Sequence, residues 1–166
     1  MKRTLAIGDI HGGLRALRQV LERAEMTVED TLIFLGDYVD GWSESAQVID
    51  FLMELETRQT CLFMKGNHDL WCEGWLEGGI VPHHWLNHGG SSTARSYQNV
   101  SAEIRLDHLR FFNRMKPYYI DANNRLFVHA GFTNMNGVHY EYFPGLFYWD
   151  RTLWETALSF DIRMKP

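Results

Sequence analysis

Short apolar runs recur along the first two thirds of the chain, and each closes on a turn residue beside a polar one. Thr4-Leu5-Ala6-Ile7 ends in Gly8-Asp9, and Thr31 to Leu35 ends in Gly36-Asp37. Cys61 to Lys65 ends in Gly66-Asn67, and Leu126-Phe127-Val128 ends in His129-Ala130-Gly131. Nearly continuous apolar runs of this length predict strands buried on both faces. Between them the period changes to that of a helix. Leu14, Leu17, Val20 and Leu21 share one face, extended by Ala24. Val48, Ile49, Leu52, Met53 and Leu55 share another, with Ser43 as the N-cap. Strand–helix–strand–helix–strand is the pattern of parallel βαβ units with right-handed crossovers, so the fold class is α/β.

Residues 71–100 are rich in Trp, His and Gly and predict short helices and loops. Ile104, His108, Phe111, Phe112 and Met115 predict a helix that starts near Ser101 and is stopped by Pro117. Tyr118 to Val128 reads as a hairpin around Ala122-Asn123-Asn124, and Asp150 to Phe160 as a last helix. No repeat, low-complexity stretch or linker divides the 166 residues, which therefore read as a single domain.

Composition narrows the partners. Lys plus Arg is 16 and Asp plus Glu 21, a net charge of −5, so no nucleic-acid surface is expected. No apolar run approaches the ~18 residues of a membrane span, and the N-terminal apolar stretch is too short for an export signal. Two cysteines cannot form a disulfide framework, which points to the cytoplasm. Cys61 reads as core, and Cys72 is open to oxidation only if exposed.

The chemistry concentrates where α/β sheets bind ligands, beyond the carboxyl ends of the strands. That edge carries Asp9, His11, Asp37, Asp40, Asn67, His68 and His129. Carboxylate, imidazole and carboxamide together suit Mn, Fe or Zn better than Ca. Converging carboxylates without a cation would repel one another, and a pair of divalent ions removes that penalty. A single Gly-Asp after a strand is ordinarily only a turn; the ordered recurrence carries the reading. His84 and His88 stand at i, i+4, but with no acid motif beside His83, His84 and His88 they read more simply as surface or cleft residues.

Gly8-Asp9-Ile10-His11-Gly12, Gly36-Asp37-Tyr38-Val39-Asp40, Gly66-Asn67-His68-Asp69 and Val128-His129-Ala130-Gly131 resemble the successive blocks of calcineurin-like metallophosphoesterases. The likeness is greatest to the branch of bacterial serine/threonine phosphoprotein phosphatases and symmetrical dinucleoside tetraphosphatases. His88 to Thr93 with Ser96-Tyr97, and Tyr148-Trp149-Asp150-Arg151, resemble two further segments of that branch. The resemblance implies an αββα sandwich with two metals at the strand ends, most simply Mn, with Fe or Zn as alternatives. It implies Asp9 and His11 on the first metal, Asp37 bridging, and Asn67 and His129 on the second. His68, oriented by Asp40, would be the general acid, and Arg151 would hold phosphate oxygens. The implied activity is hydrolysis of phosphomonoesters, whether phosphoserine or phosphothreonine in proteins or small phosphoesters, by a metal-bound hydroxide. Hydrolysis of dinucleoside polyphosphates is the alternative.

Two departures qualify the match. Gly41 and Trp42 stand where the family continues with Arg-Gly, so one phosphate-binding guanidinium is missing. Lys65 or another arginine would have to replace it, and Trp42 is either a lid over the first helix or a stacking surface. The family's last metal-binding His also has no counterpart, since His139 lacks a strand–Gly context, and the final strands are absent. The resemblance therefore implies a C-terminally incomplete domain over residues 1–166, with an exposed sheet edge open to self-association. Both losses also fit a third reading, a catalytically impaired domain that binds a phospho-ligand. The aromatic cluster Tyr140, Tyr142, Phe143, Phe147, Tyr148 and Trp149 reads as core or cleft wall, and Tyr97 as a minor candidate for substrate contact.

Overall fold

A computed structural model describes residues 2–78 and 83–164. Three parallel strands, β1 (Thr4–Ile7), β2 (Thr31–Phe34) and β3 (Thr60–Phe63), lie in the order β1-β2-β3. Helices α1 (Leu14–Arg23) and α2 (Ser45–Glu56) are their crossovers. The register pairs Thr4 with Thr31 and Thr31 with Thr60, so all three strands end at the same level. That alignment brings the loops after Ile7, Phe34 and Phe63 to one edge.

The centre of the sheet is apolar. Leu32 and Phe34 on β2 are sealed by Leu14, Leu17 and Leu21 of α1 and by Val48, Ile49, Leu52 and Leu55 of α2. Phe34 stacks on Phe63 at 5.2 Å, and Phe63 meets Phe111 at 4.8 Å. Burial on both faces holds for β2 but not for β1. Leu5 and Ile7 are half-buried and Ala6 is exposed, because β1 is the edge strand. Val20, expected on the buried face of α1, is half exposed, because it flanks the stripe that Leu14, Leu17 and Leu21 bury.

After β3 the chain forms α3 (Asn67–Leu76), a short α4 (His83–Trp85), a π-type turn over Leu86–Gly90, α5 (Ser91–Ser96) and α6 (Ala102–Asn113). The Ser101 hydroxyl accepts the backbone N–H of Ile104, the expected N-cap of α6. Strands β4 (Tyr118–Ile120) and β5 (Leu126–Val128) pair antiparallel, as the Asn-rich turn predicts. Among the described residues no strand follows Val128. Two boundaries differ from expectation. Helix α2 begins at Ser45 with Glu44 as N-cap, so Ser43 caps nothing. The Ser45 hydroxyl is used inside the fold, where it accepts the Asp40 N–H. The last helices are α7 (Leu146–Trp149) and α8 (Leu153–Met164). Asp150 lies before α8, its carboxylate accepting the N–H groups of Thr152 and Leu153.

Tyr97 is fully buried and bonded to His108 Nδ1 at 2.8 Å, while His108 Nε2 meets Asp50 at 2.9 Å. Tyr97 is thus a core residue, withdrawn from any substrate. Cys72 is buried, and burial raises its thiol pKa well above the ordinary value; burial likewise pushes Cys61 up to about 12. No helix among the described residues is long and apolar enough to cross a membrane.

Candidate active site

The strand ends are shaped by unusual backbone. His11, Asp37 and Asp40 take φ of +49°, +55° and +68°. Left-handed conformations at non-glycine residues cost about 1–3 kcal/mol each and cluster at functional sites. Glycine makes the close approach of two loops possible. A Cβ on Gly36, φ +106°, would lie 2.6 Å from Gly66 N, and one on Gly66 would lie 2.1 Å from Asp37 Oδ1. The loops after β2 and β3 are therefore in backbone contact, and only glycines permit it.

Asp37, Asp9, His11 and His129 converge there. Asp37 Oδ2 is 3.8 Å from His11 Nε2 and 3.5 Å from His129 Nε2, and Asp9 Oδ2 is 3.9 Å from His11 Nε2. Two groups of donor atoms lie within 4.8 Å of one another: His11, Asp37 and His68, and Asp9, Asp37 and His129. Asp37 is common to both. Asp9 groups with His129 as well as lying near His11, so the four side chains form one cluster rather than two separated sites. The Asp9 side chain is more than half exposed, while the side chains of Asp37 and His129 are buried.

The chemistry of the donor set fits divalent ions. His11 Nδ1 lies 3.1 Å from the Val39 carbonyl, and His129 Nδ1 lies 2.9 Å from the Leu35 carbonyl. Each carbonyl accepts an N–H, which fixes the tautomer and leaves the Nε2 lone pair facing Asp37, the usual outer support of a metal-ligating histidine. His129 Nε2 lies 3.1 Å from Asn67 Oδ1. In the neutral imidazole both atoms are acceptors, an unfavourable meeting that a shared cation relieves.

His68 borders this cluster and is held by a second, buried carboxylate. Its Nδ1 meets Asp40 Oδ2 at 2.7 Å, and its backbone N–H donates to Asp37 Oδ1 at 3.0 Å. Asp40 is fully buried and also accepts Trp85 Nε1–H at 2.6 Å and the Thr93 hydroxyl at 2.6 Å. Its own N–H donates to Thr93 Oγ1 at 3.0 Å. Burial pulls the His68 pKa down, but the Asp40 hydrogen bond and the charges of Asp37, Asp40 and Asp69 outweigh it, so the net shift is upward.

Asp69 is a contributor that reading the sequence missed. Its carboxylate is fully buried and accepts the N–H groups of Asp37 and Gly66 at 2.8 Å and of Tyr38 at 2.9 Å. Burial and the Asp37 charge push its pKa up to about 7, against the three N–H donors. The sequence signal was present: Asp69 is the third residue of α3 after Gly66, the spacing of a capping box. Trp85 gave no such signal, and Thr93 was marked only as part of the His88–Thr93 segment, because they reach Asp40 from 45 and 53 residues away.

Other expected residues are placed differently. Arg151 is exposed, two residues past Trp149, with no hydrogen bond or ion pair among the described residues. Lys65 does not offer a free cation, since its Nζ is 2.5 Å from Glu73 Oε1 and both groups are largely buried. Arg95 lines a cavity of about 510 Å³ with Gly41, Trp42, Ser92 and Ser96. Trp42 is 70% exposed and packs its ring edge over Gly13 at the start of α1. His139 is bonded to the Tyr118 hydroxyl, away from the cluster. His84 and His88 join no metal-ligating group among the described residues; both rings lie against Trp71.

Comparison with known proteins gives the family and the fold. The chain belongs to the calcineurin-like phosphoesterase family, whose model matches residues 2–158. It is 25% identical over 140 residues to the asymmetrical bis(5'-nucleosyl)-tetraphosphatase PrpE of Oceanobacillus iheyensis, covering 75% of this chain and 54% of that protein. A solved structure provisionally named a diadenosine tetraphosphatase superposes with a TM-score of 0.63 at 21% identity, covering 86% of this chain and 56% of that one. A serine/threonine phosphatase from Saccharomyces cerevisiae superposes with a TM-score of 0.55 at 17% identity, over 81% of this chain and 42% of that one. These likenesses to solved structures show a shared fold. The chain spans about half the length of the Oceanobacillus iheyensis relative and of the first of these solved structures.

Proposed function

We propose that this chain carries the catalytic centre of a metal-dependent phosphoesterase that hydrolyses phosphomonoesters. The observation that supports this most is the juxtaposition of a cation-ready cluster with a carboxylate-held histidine: His11 and His68 rings are 4.9 Å apart, edge to face. Asp9, His11, Asp37, Asn67 and His129 are the ligands in this reading, with Asp37 shared between two ions. Divalent ions there would supply Lewis acidity to phosphoryl oxygens and lower the pKa of water towards neutrality. Mn is the favoured metal on the mixed oxygen and nitrogen donor set.

His68 is the general acid. Asp40 fixes its Nδ1, which leaves Nε2 to carry a proton to the departing oxygen, and the raised pKa keeps that proton in place to higher pH. Asp40 itself is anchored by Trp85 and Thr93, so the histidine ring has one orientation. Arg151 is the candidate for steadying phosphate oxygens from the exposed side. Phosphoserine, phosphothreonine and small phosphoesters are the substrates of this reading, in a cytoplasmic setting. Hydrolysis of dinucleoside polyphosphates is a second reading, supported by the name of the Oceanobacillus iheyensis relative.

The experiment is hydrolysis by the purified chain of para-nitrophenyl phosphate, a phosphoserine peptide and diadenosine tetraphosphate, after chelation and after Mn or Ca is returned. Restoration by Mn and not by Ca supports the reading. Unchanged turnover in excess chelator, or none with any divalent ion, refutes it.

A further inference from the structure

The leaving-group side of the site carries an aromatic wall that none of the proposed hydrolytic steps uses. Trp71 lies on α3 one turn beyond His68, so the two share a helix face. The His68 and Trp71 rings meet edge to face at 5.1 Å. Two other segments close on the same indole. His84 lies 5.2 Å from it and His88 6.4 Å, both from the chain around α4, and Trp149 of α7 lies 5.0 Å from it. Trp149 is 43% exposed, Trp71 is half-buried, and both histidines are exposed. Trp42, Trp154, Tyr142 and Phe143 are also exposed, but none has a ring contact with this group. What sets the wall apart is its convergence on the proton donor.

We infer that Trp71 and Trp149 form a stacking subsite for a planar aromatic ring on the leaving group of the substrate. This rests on the phosphoesterase reading and on His68 as its acid. In that reaction a water oxygen bonds to phosphorus, the bridging P–O bond breaks, and the His68 proton goes to the departing oxygen. The proton released from water balances it. Whatever is attached to that oxygen would lie on the His68 side, beside the Trp71 ring 5.1 Å from the proton donor. Trp149 leaves 43% of its surface open to solvent, and an indole gains from a π-system laid against it. The ring could be a nucleobase or a phenyl group, and both present the same flat apolar face.

Two matched pairs of substrates distinguish the sources. The first is 2-phenylethyl phosphate against butyl phosphate; the second is adenosine 5'-diphosphate against methyl diphosphate, each with Mn. The expected result is a kcat/KM about tenfold higher for the ring-bearing member of at least one pair, within the range of base–aromatic stacking. Trp71→Ala and Trp149→Ala should each bring that ratio towards one, and Trp71→Phe should keep most of it. The pair that responds names the source. Ratios near one in both pairs, or a ratio unmoved by Trp71→Ala, overturn the subsite while leaving the phosphoesterase reading intact. If no ester is hydrolysed, that reading fails and the subsite is still decided by tryptophan fluorescence. Saturable quenching by adenosine or para-cresol that is lost in Trp71→Ala and Trp149→Ala supports it, and its absence in the wild-type protein overturns it.

Discussion

Replacing Asp69 with asparagine exchanges an ionisable two-oxygen acceptor for an amide of almost the same volume, so it isolates what the buried carboxyl does. Three backbone N–H groups, of Gly66, Asp37 and Tyr38, end on its two oxygens. Asparagine keeps one oxygen. Placed where it serves Asp37 and Gly66, it turns an NH2 towards the Tyr38 N–H, donor against donor. Hydrogen bonds to a charged acceptor contribute about 1.5–3 kcal/mol each, and an unsatisfied buried donor costs about 1–3 kcal/mol. Relief of the repulsion between Asp69 and Asp37 offsets part of this. A net loss of about 2 kcal/mol is expected, a fall in Tm of about 4–8 °C for a chain of this size. Alanine strands all three donors and should cost at least twice as much. The lost bonds hold Asp37, so Mn affinity measured by titration calorimetry should drop by about 10–100-fold, the usual effect of losing an outer-shell partner. An asparagine variant with unchanged Tm and unchanged Mn affinity would refute the view that Asp69 sets the position of Asp37.

The remaining predictions concern the acid, the shared ligand and the acid limb of stability. His68→Asn should lower kcat by about 10²–10⁴-fold while metal content by elemental analysis stays at the wild-type level; wild-type turnover would remove His68 from the acid role. Asp37→Ala should empty both metal positions together, and finding one ion at full occupancy would contradict a shared ligand. The Arg3 guanidinium and the N–H groups of Thr27 and Arg3 hold the buried Asp30 carboxyl well below the usual carboxylate range. Because that pKa is depressed on folding, its stabilisation is full above about pH 4, the unfolded value, and is lost as pH falls through the folded one. Asp30→Asn should lower Tm at pH 7 and flatten its decline between about pH 5 and pH 2; an unaltered slope would show that this pair does not govern acid unfolding.

Much of this protein was written in local pattern. Alternating strand and helix periods foretold the βαβ order and the parallel sheet, because a central strand covered on both faces demands such runs. The same pattern put Asp9, Asp37 and Asn67 at the ends of strands, and aligned strands must bring their ends to one edge. The hairpin at Asn123-Asn124 and the Ser101 cap were legible for the same reason: the signal lies within four residues of the element it controls. Whether Val20 is covered, or whether β1 is buried on two faces, was decided by which elements lie next to them. So were the anchoring of Asp40 by Trp85 and Thr93, the pairing of Lys65 with Glu73, and the meeting of Trp71 with Trp149. Those contacts join positions far apart in the chain, and their energy depends on shape and desolvation at the meeting point, which no local period encodes.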